Sequence, residues 1–284
     1  MIRALSLALS LTCLLVSGDA SAYCLMTTSS ASPTPEEPCP EDGVPLAWRR
    51  RCLGMYIDDR GARDLSQDAL EGAVLRSFER WTALECDGAS RGFSFRVEDE
   101  PARCDDAHFD YGDSNANVLS FVSNFEELGY DDTAFAVTVV WHSTESGEIF
   151  DADMLINESF SPYAICPESG CTRRMEIDLE NVITHEAGHF FGLAHSQDTL
   201  STMYARAPRA EVTKRTLEED DLLGFCATYP APVGGVCNFT PHGGREPICP
   251  GMEGSGGGGC GCQTAPRRAR GRWCSRSSHT VSSA

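Results

Sequence analysis

The chain has 284 residues, of which 41% are hydrophobic, so it can bury a sizeable core in one large domain or two small ones. Its 42 acidic residues outnumber its 23 basic residues, and the formal net charge is -19. A surface of this sign repels phosphate backbones, so we expect no nucleic-acid partner.

Residues 1–22 have the three parts of a secretory signal peptide. A short basic lead with Arg3 precedes an apolar run, and Ala20-Ser21-Ala22 is a small-x-small cleavage site. We therefore expect the mature chain to begin at Tyr23 and to be secreted, either released outside the cell or held at its surface. After the signal, no stretch of the sequence is apolar enough to span a membrane.

The chain has 14 cysteines, of which Cys13 lies in the signal. In an exported protein this density predicts disulfides, and the odd remainder leaves at least one cysteine unpaired. Cys166 and Cys171 flank a short loop and predict a local bridge, and Cys86 with Cys104 would tie the loop after the first helix. Thiolate metal binding is the alternative, but the chain has no C-x-x-C pair.

Residues 23–44 are rich in Ser, Thr and Pro and predict a leader or short pro-segment. A free thiolate at Cys24 or Cys39 could inhibit a metal centre, although a disulfide is the ordinary fate of an exported cysteine.

A domain over residues 45–230 follows, and its first elements alternate between strand and helix patterns. Apolar residues alternate within Trp48–Asp58 and predict a half-buried strand. Ser66 is a predicted N-cap, and the apolar spacing up to Trp81 predicts a helix with one core face. Phe93–Val97 alternates again as a second strand.

Three further strands are predicted at Val118–Val122, Ala134–Trp141 and Glu148–Asn157. The second is a nearly continuous apolar run, which suits a central position in a sheet. In the third, Asp151 and Asp153 point the same way and could bind calcium through their carboxylates. We favour the alternative, that they hydrogen-bond a neighbouring loop.

The stretch 184–196 reads THEAGHFFGLAHS and predicts a metal site. His185 and His189 lie one helical turn apart on the same face, with Glu186 beside them. Gly192 can adopt positive φ and end the helix, so that His195 turns back toward the other two histidines. Three imidazoles and a water give the open tetrahedral coordination of a catalytic zinc. Ordinary surface or core histidines are the alternative.

Beyond this stretch, Thr216 is a predicted N-cap, with Glu219 completing a capping box for a helix through Phe225. Residues 231–262 are rich in Cys and Gly and predict a linker. Residues 263–284 form a basic, polar tail.

The motif H-E-x-x-H-x-x-G-x-x-H with a later methionine is the metzincin signature, and this sequence fills every position, with Met203 as the methionine. Ser196 after the third histidine, and the eight-residue step to Met203, resemble the matrixin branch.

The C-terminal tail resembles a different group of proteins. Gly259-Cys260-Gly261-Cys262 before a basic cluster looks like the C-terminal sorting tails of myxobacterial surface proteins, with a polar stretch where those tails have a hydrophobic helix.

The resemblance to matrixins implies an α+β domain with a twisted, mixed five-stranded sheet, an active-site helix and a C-terminal helix. It implies that the three histidines ligate zinc, that Glu186 is the general base, that Met203 forms an apolar floor, and that peptides bind extended along an edge strand. Ala205-Arg206-Ala207 stands where many matrixins have a Pro-x-Tyr pocket wall. Ile149 stands near a structural-zinc histidine of that family, so we expect no structural zinc.

These features predict a secreted zinc-dependent endopeptidase that acts on protein or peptide substrates. Glu186 would take a proton from a zinc-activated water and return it to the leaving amine. The alternative is a catalytically weak or inactive binding or adhesion module with the same fold. A hydrolase of non-peptide substrates is a third reading, and the sequence does not indicate an oligomeric state.

Overall fold

A computed structural model describes residues 22–29, 37–160, 162–230, 237–245 and 249, and the backbone of 276–282. Residues 1–21 of the predicted signal, most of the predicted linker with its Cys260 and Cys262, and the start of the basic tail lie outside the described residues. Within the described ranges, no helix has both the length and the apolar character needed to cross a membrane.

The chain alternates short strands with four helices in the described part. In chain order the elements are β1 (Ala47–Trp48), β2 (Cys52–Ile57), α1 (Gln67–Thr82), β3 (Glu85–Cys86), β4 (Ala89–Ser90), β5 (Ser94–Val97), β6 (Val118–Val122), α2 (Phe125–Leu128), β7 (Ala134–His142), β8 (Glu148–Asn157), β9 (Tyr163–Ala164), β10 (Ile177–Asp178), α3 (Leu179–Phe190), α4 (Glu219–Thr228) and β11 (Arg276–Ser282).

One mixed sheet organises the domain, in the strand order β11-β7-β8-β6-β2-β5, with the short β1 paired beside the start of β8. Strands β2, β5, β6 and β8 run parallel, and β7 is antiparallel to β8. The predicted α+β class is confirmed, and these five are the principal strands. The predicted central position of β7 is confirmed among the described residues: β7 pairs with β8 on one side and with β11 on the other, and all of its residues are buried.

Helices α1 and α3 pack together against one face of this sheet. Ser66 caps α1 as expected, and its Oγ accepts the N–H of Ala69 at 3.3 Å. The indole N–H of Trp81 donates to the carbonyl of Thr184 at 2.9 Å, within the buried core. A second indole, that of Trp48, donates to the carbonyl of Phe190 at 2.7 Å. These bonds fix α3 from the sides of α1 and β1.

Residues 24–27 of the predicted leader pack against the core, whereas most of residues 37–44 are exposed. Met26 has no exposed surface, its N–H donates to the carbonyl of Gly192 at 3.0 Å, and its carbonyl accepts the N–H of Leu46 at 2.8 Å. Cys24 and Cys39 form a disulfide. Because both sulfurs are bonded, neither cysteine offers the free thiolate considered above.

Disulfides join distant parts of the chain. The predicted local bridge Cys166–Cys171 is confirmed, and the predicted pair Cys86 with Cys104 is wrong. Helix α4 carries the true partner of Cys86, and the segment after the domain carries the partner of Cys104. The long-range pairs are Cys52–Cys237, Cys86–Cys226 and Cys104–Cys249. Cys237 and Cys249, both in the predicted linker, are therefore bonded to β2 and to the loop that precedes β6.

The predicted cap of α4 also needs a correction. The helix begins two residues later than expected, with Glu218 rather than Thr216 as N-cap, and Asp221 rather than Glu219 completes the capping box. The N–H of Glu218 donates to the Asp221 carboxylate at 2.8 Å. Thr216 instead ends the short 3₁₀ turn Thr213–Arg215.

Candidate metal centre

Helix α3 presents the histidine motif because of how it begins and ends. Asp178 caps its N-terminus, with its carboxylate accepting the N–H of Asn181 at 2.8 Å. Gly192 follows the C-terminus with φ +90°, as the sequence predicted. A side chain at this position would place its Cβ 2.2 Å from the carbonyl oxygen of Leu46, so glycine is required for space as well as for conformation.

The turn at Gly192 brings the three predicted histidines together. Ring nitrogens of His185, His189 and His195 lie within 4.8 Å of one another. Nε2 of His189 and Nε2 of His195 are 3.2 Å apart, and the first two rings have no exposed surface. Three imidazole nitrogens that face one point form the donor set of a catalytic zinc site.

Backbone carbonyls orient two of these rings. Nδ1 of His185 lies 2.6 Å from the carbonyl oxygen of Thr202, and Nδ1 of His189 lies 2.9 Å from that of Leu193. A carbonyl can only accept a hydrogen bond, so each Nδ1 carries the proton. The Nε2 lone pairs are thereby left for a metal, the arrangement common in histidine ligands.

Glu186 lies beside the histidine cluster with no exposed surface. Its Oε2 accepts the hydroxyl proton of Thr138 on β7 at 2.6 Å, and Oε1 has no hydrogen-bond partner among the described residues. Burial raises the pKa of Glu186 to about 8, although the Thr138 bond and the charge of Lys214 act in the opposite direction. Burial therefore favours the protonated form of this carboxyl group in the metal-free protein.

Met203 lies directly against α3. A Cβ on Gly188 would come within 2.1 Å of the Met203 sulfur, so the helix and the methionine turn touch through a glycine. The carbonyl of Met203 also accepts the N–H of Ser196 at 2.9 Å, next to the third histidine. The methionine side chain is buried, as expected for an apolar floor.

Asp221 at the start of α4 holds this turn, a role that sequence reasoning missed. Its carboxylate accepts the Ser201 hydroxyl at 2.5 Å, the Thr202 N–H at 2.8 Å and the Met203 N–H at 3.0 Å. The sequence signal was its place in the first turn of a helix, which indicates a capping acid but not a contact twenty residues away.

Its neighbour Asp220 makes a parallel set of bonds. Its carboxylate accepts the Ser196 hydroxyl at 2.6 Å and the N–H groups of Ala22 and Tyr23 at 2.8 Å each. The residue after the third histidine and the predicted mature start are therefore tied to the same helix terminus.

Lys214 is a further buried residue at the centre that the sequence analysis did not identify. Its ammonium donates to the carbonyl of Thr202 at 3.0 Å and to that of Tyr204. The Thr202 carbonyl consequently accepts from both Lys214 and His185. Burial lowers the pKa of Lys214 to about 8, against the raising effect of Glu211, Asp221 and Glu186.

Asp151 and Asp153 lie on the opposite face of the sheet, away from the histidines. They pair in register with Trp141 and Val139, which belong to a separate hydrophobic cluster on that face. Both aspartates are fully buried, and burial raises the pKa of Asp153 to about 8.

The two aspartates differ in their hydrogen bonds. Asp153 accepts the N–H of His108 at 2.8 Å and that of Val118 at 2.7 Å, the loop contact favoured from the sequence. Neither carboxylate oxygen of Asp151 accepts a hydrogen bond of normal geometry from the described residues. Burial first, and then the Asp153 charge, raises the pKa of Asp151 well above its usual range.

Comparison with known proteins gives two matches. The sequence model of the Matrixin peptidase family matches residues 47–230. A curated protein, Metalloendoproteinase 1 of Glycine max, is 42% identical over 52 residues, which are 18% of this chain and 17% of that protein. The second match therefore spans a small part of the relative.

Replacing Asp221 by Asn should loosen the methionine turn. An amide presents one acceptor oxygen and one NH₂ group to buried donors that now face a carboxylate, and an unmet buried donor costs about 1–3 kcal/mol. We expect a lower unfolding temperature and weaker zinc retention in Asp221→Asn. Glu219→Gln, an equal charge change at an exposed position of the same turn, is the control. Equal unfolding temperatures for both variants would contradict this role for Asp221.

Proposed function

Since the chain belongs to the matrixin family, we propose that it is an exported zinc-dependent endopeptidase that hydrolyses peptide bonds in protein or peptide substrates. One observation carries the proposal: three converging imidazoles stand beside a buried carboxylate, Glu186, that has one oxygen held by Thr138 and the other without a partner among the described residues. A binding module would not need that carboxylate.

The residues present fit a zinc ion. His185, His189 and His195 supply three nitrogen donors, and two of the rings are fixed by carbonyl acceptors. When bound there, zinc supplies a Lewis acid that lowers the pKa of a water molecule to about 7 and polarises a substrate carbonyl.

Glu186 supplies the proton transfers in the proposed mechanism. With Oε2 fixed by Thr138, Oε1 is the oxygen that takes a proton from water and later delivers it to the leaving amine. Lys214 and Asp221 do not meet substrate in this scheme; they position the turn that carries the Thr202 carbonyl and hence His185.

Glu186→Gln should retain zinc and lose peptidase activity, because the amide cannot accept the proton from water. General acid–base catalysis contributes about 10²–10⁴ in rate, so we expect a loss of at least that order. The measurements are initial rates on a peptide library and zinc content by metal analysis. Glu79→Gln, at an exposed position of α1, is the control. Full activity in Glu186→Gln would rule out the glutamate base, and zinc-loaded wild-type protein without activity would favour the binding-module alternative.

A calcium ion at Asp151 and Asp153, the less favoured of the two interpretations of these residues, stays a prediction. Support for it comes from the two buried carboxylate oxygens without normal hydrogen bonds and from the neighbouring Asp153, since buried carboxylates carry charge when a cation compensates it. Millimolar calcium should raise the unfolding temperature of wild-type protein and leave that of Asp151→Asn unchanged. Asp99→Asn, an exposed acidic control, should respond as wild type does. No calcium effect on wild type would remove the site.

Export also stays a prediction. It rests on the three-part signal pattern and is supported by the five disulfides among the described residues, which form in oxidising compartments. N-terminal sequencing of protein recovered from the culture medium or the cell surface should begin at Tyr23. Protein that remains inside the cell with Met1 intact would contradict the predicted signal.

A further inference from the structure

Strand β11 covers the outer edge of β7 over the full length of β11. The two strands are antiparallel, and the register runs from Arg276 opposite Trp141 to Ser282 opposite Ala134, with one irregularity near the end. Without β11, β7 would present a row of backbone N–H and C=O groups as an open sheet edge. Among the described residues, β11 alone pairs along that edge.

The covered edge lies beside the metal centre. His279 is placed opposite Thr138, the residue whose hydroxyl donates to Glu186. Cα atoms of β11 also come within 8 Å of Cα atoms of α3, which carries two of the three histidines. Strand β11 therefore pairs with β7 beside Glu186, the residue to which we assign the proton transfers.

The centre is closed in this arrangement. Glu186 has no exposed surface, although hydrolysis needs both water and a peptide carbonyl beside it. An extended peptide binds a sheet edge through the same backbone groups that β11 uses. A peptide substrate and β11 cannot pair with one stretch of β7 at the same time.

We propose that residues 276–282 are an internal competitor of the peptide substrate and close the active site by pairing with β7. This rests on the function proposed above and adds its regulation. Removal or displacement of the tail opens the edge, so proteolysis between residues 250 and 275 becomes an activating event.

The tether sets how strongly this competition acts. Cys249 is fixed to the domain by its bridge to Cys104, and residues 250–275 join it covalently to β11. Such a tether gives an effective concentration on the order of mM. At about 1 mM, a strand with a Kd of about 0.1 mM leaves the edge open about one-tenth of the time. The same heptapeptide released from the chain would dissociate at ordinary protein concentrations.

The experiment compares four forms of the protein with zinc bound, three of full length and one truncated. These are wild type, a protein ending at residue 275, the variant Thr280→Pro/Val281→Pro, and the control Gln263→Pro/Thr264→Pro. Adjacent strand residues direct their N–H groups to opposite sides, so the first pair of prolines removes one donor to β7 in either register. The control places prolines outside β11.

We expect kcat/KM on a short peptide substrate to rise about tenfold in the truncated protein and in Thr280→Pro/Val281→Pro, with unchanged zinc content. The control should match wild type. A synthetic peptide of residues 276–282 should inhibit the truncated protein competitively at about 0.1 to 1 mM, and a scrambled peptide should not.

Two outcomes would overturn the proposal separately from the proposed function. If all forms cleave the substrate at the same rate, the function stands and the tail does not compete. If no form is active, a fluorescent 276–282 peptide is titrated onto the truncated protein: binding supports the strand pairing without the proposed activity, and absence of binding overturns it.

Discussion

The conformation of Gly192 brings the third histidine to the other two, and the metal centre depends on it. Its positive φ turns the chain so that His195 comes back to His189, and the space beside it is filled by the Leu46 carbonyl, which leaves no room for a side chain. Its own carbonyl accepts the N–H of Met26. One backbone conformation therefore completes the ligand set, ends α3 and seats the N-terminal segment against the core.

A second constraint is the cost of burying polar groups around α3. The Thr202 carbonyl accepts hydrogen bonds from His185 and Lys214. The Asp221 carboxylate accepts the backbone N–H groups of Thr202 and Met203. Each of these donors has its acceptor, so the methionine turn is hydrogen-bonded both to α3 and to the start of α4. The rigidity that orients the zinc ligand comes from residues outside the histidine motif.

Local signals in the sequence were sufficient for the histidine cluster. Helical spacing at His185 and His189, the glycine turn and Met203 predicted the cluster that the structure shows, and alternation predicted Glu148–Asn157 as β8 to the residue. Contacts between residues far apart in the sequence could not be predicted. Thr138 and Glu186 are 48 residues apart, and Cys104 and Cys249 are 145 apart, and no local pattern specifies such pairs. The apolar run predicted that β7 has strands on both sides, but it did not indicate that one of them, β11, comes from the distant tail.

The bridge between Cys52 and Cys237 has a consequence for the lifetime of the molecule. It links two residues separated by 185 positions, an interval that contains every principal strand after the start of β2, both long core helices and the histidine cluster. A protein in an environment rich in peptidases is cut at exposed loops, and a chain without cross-links then separates into pieces. Here a single cut anywhere in that interval leaves both fragments covalently joined. The nicked protein can keep its sheet and its three histidines assembled, so one cut in a loop does not by itself separate the metal ligands.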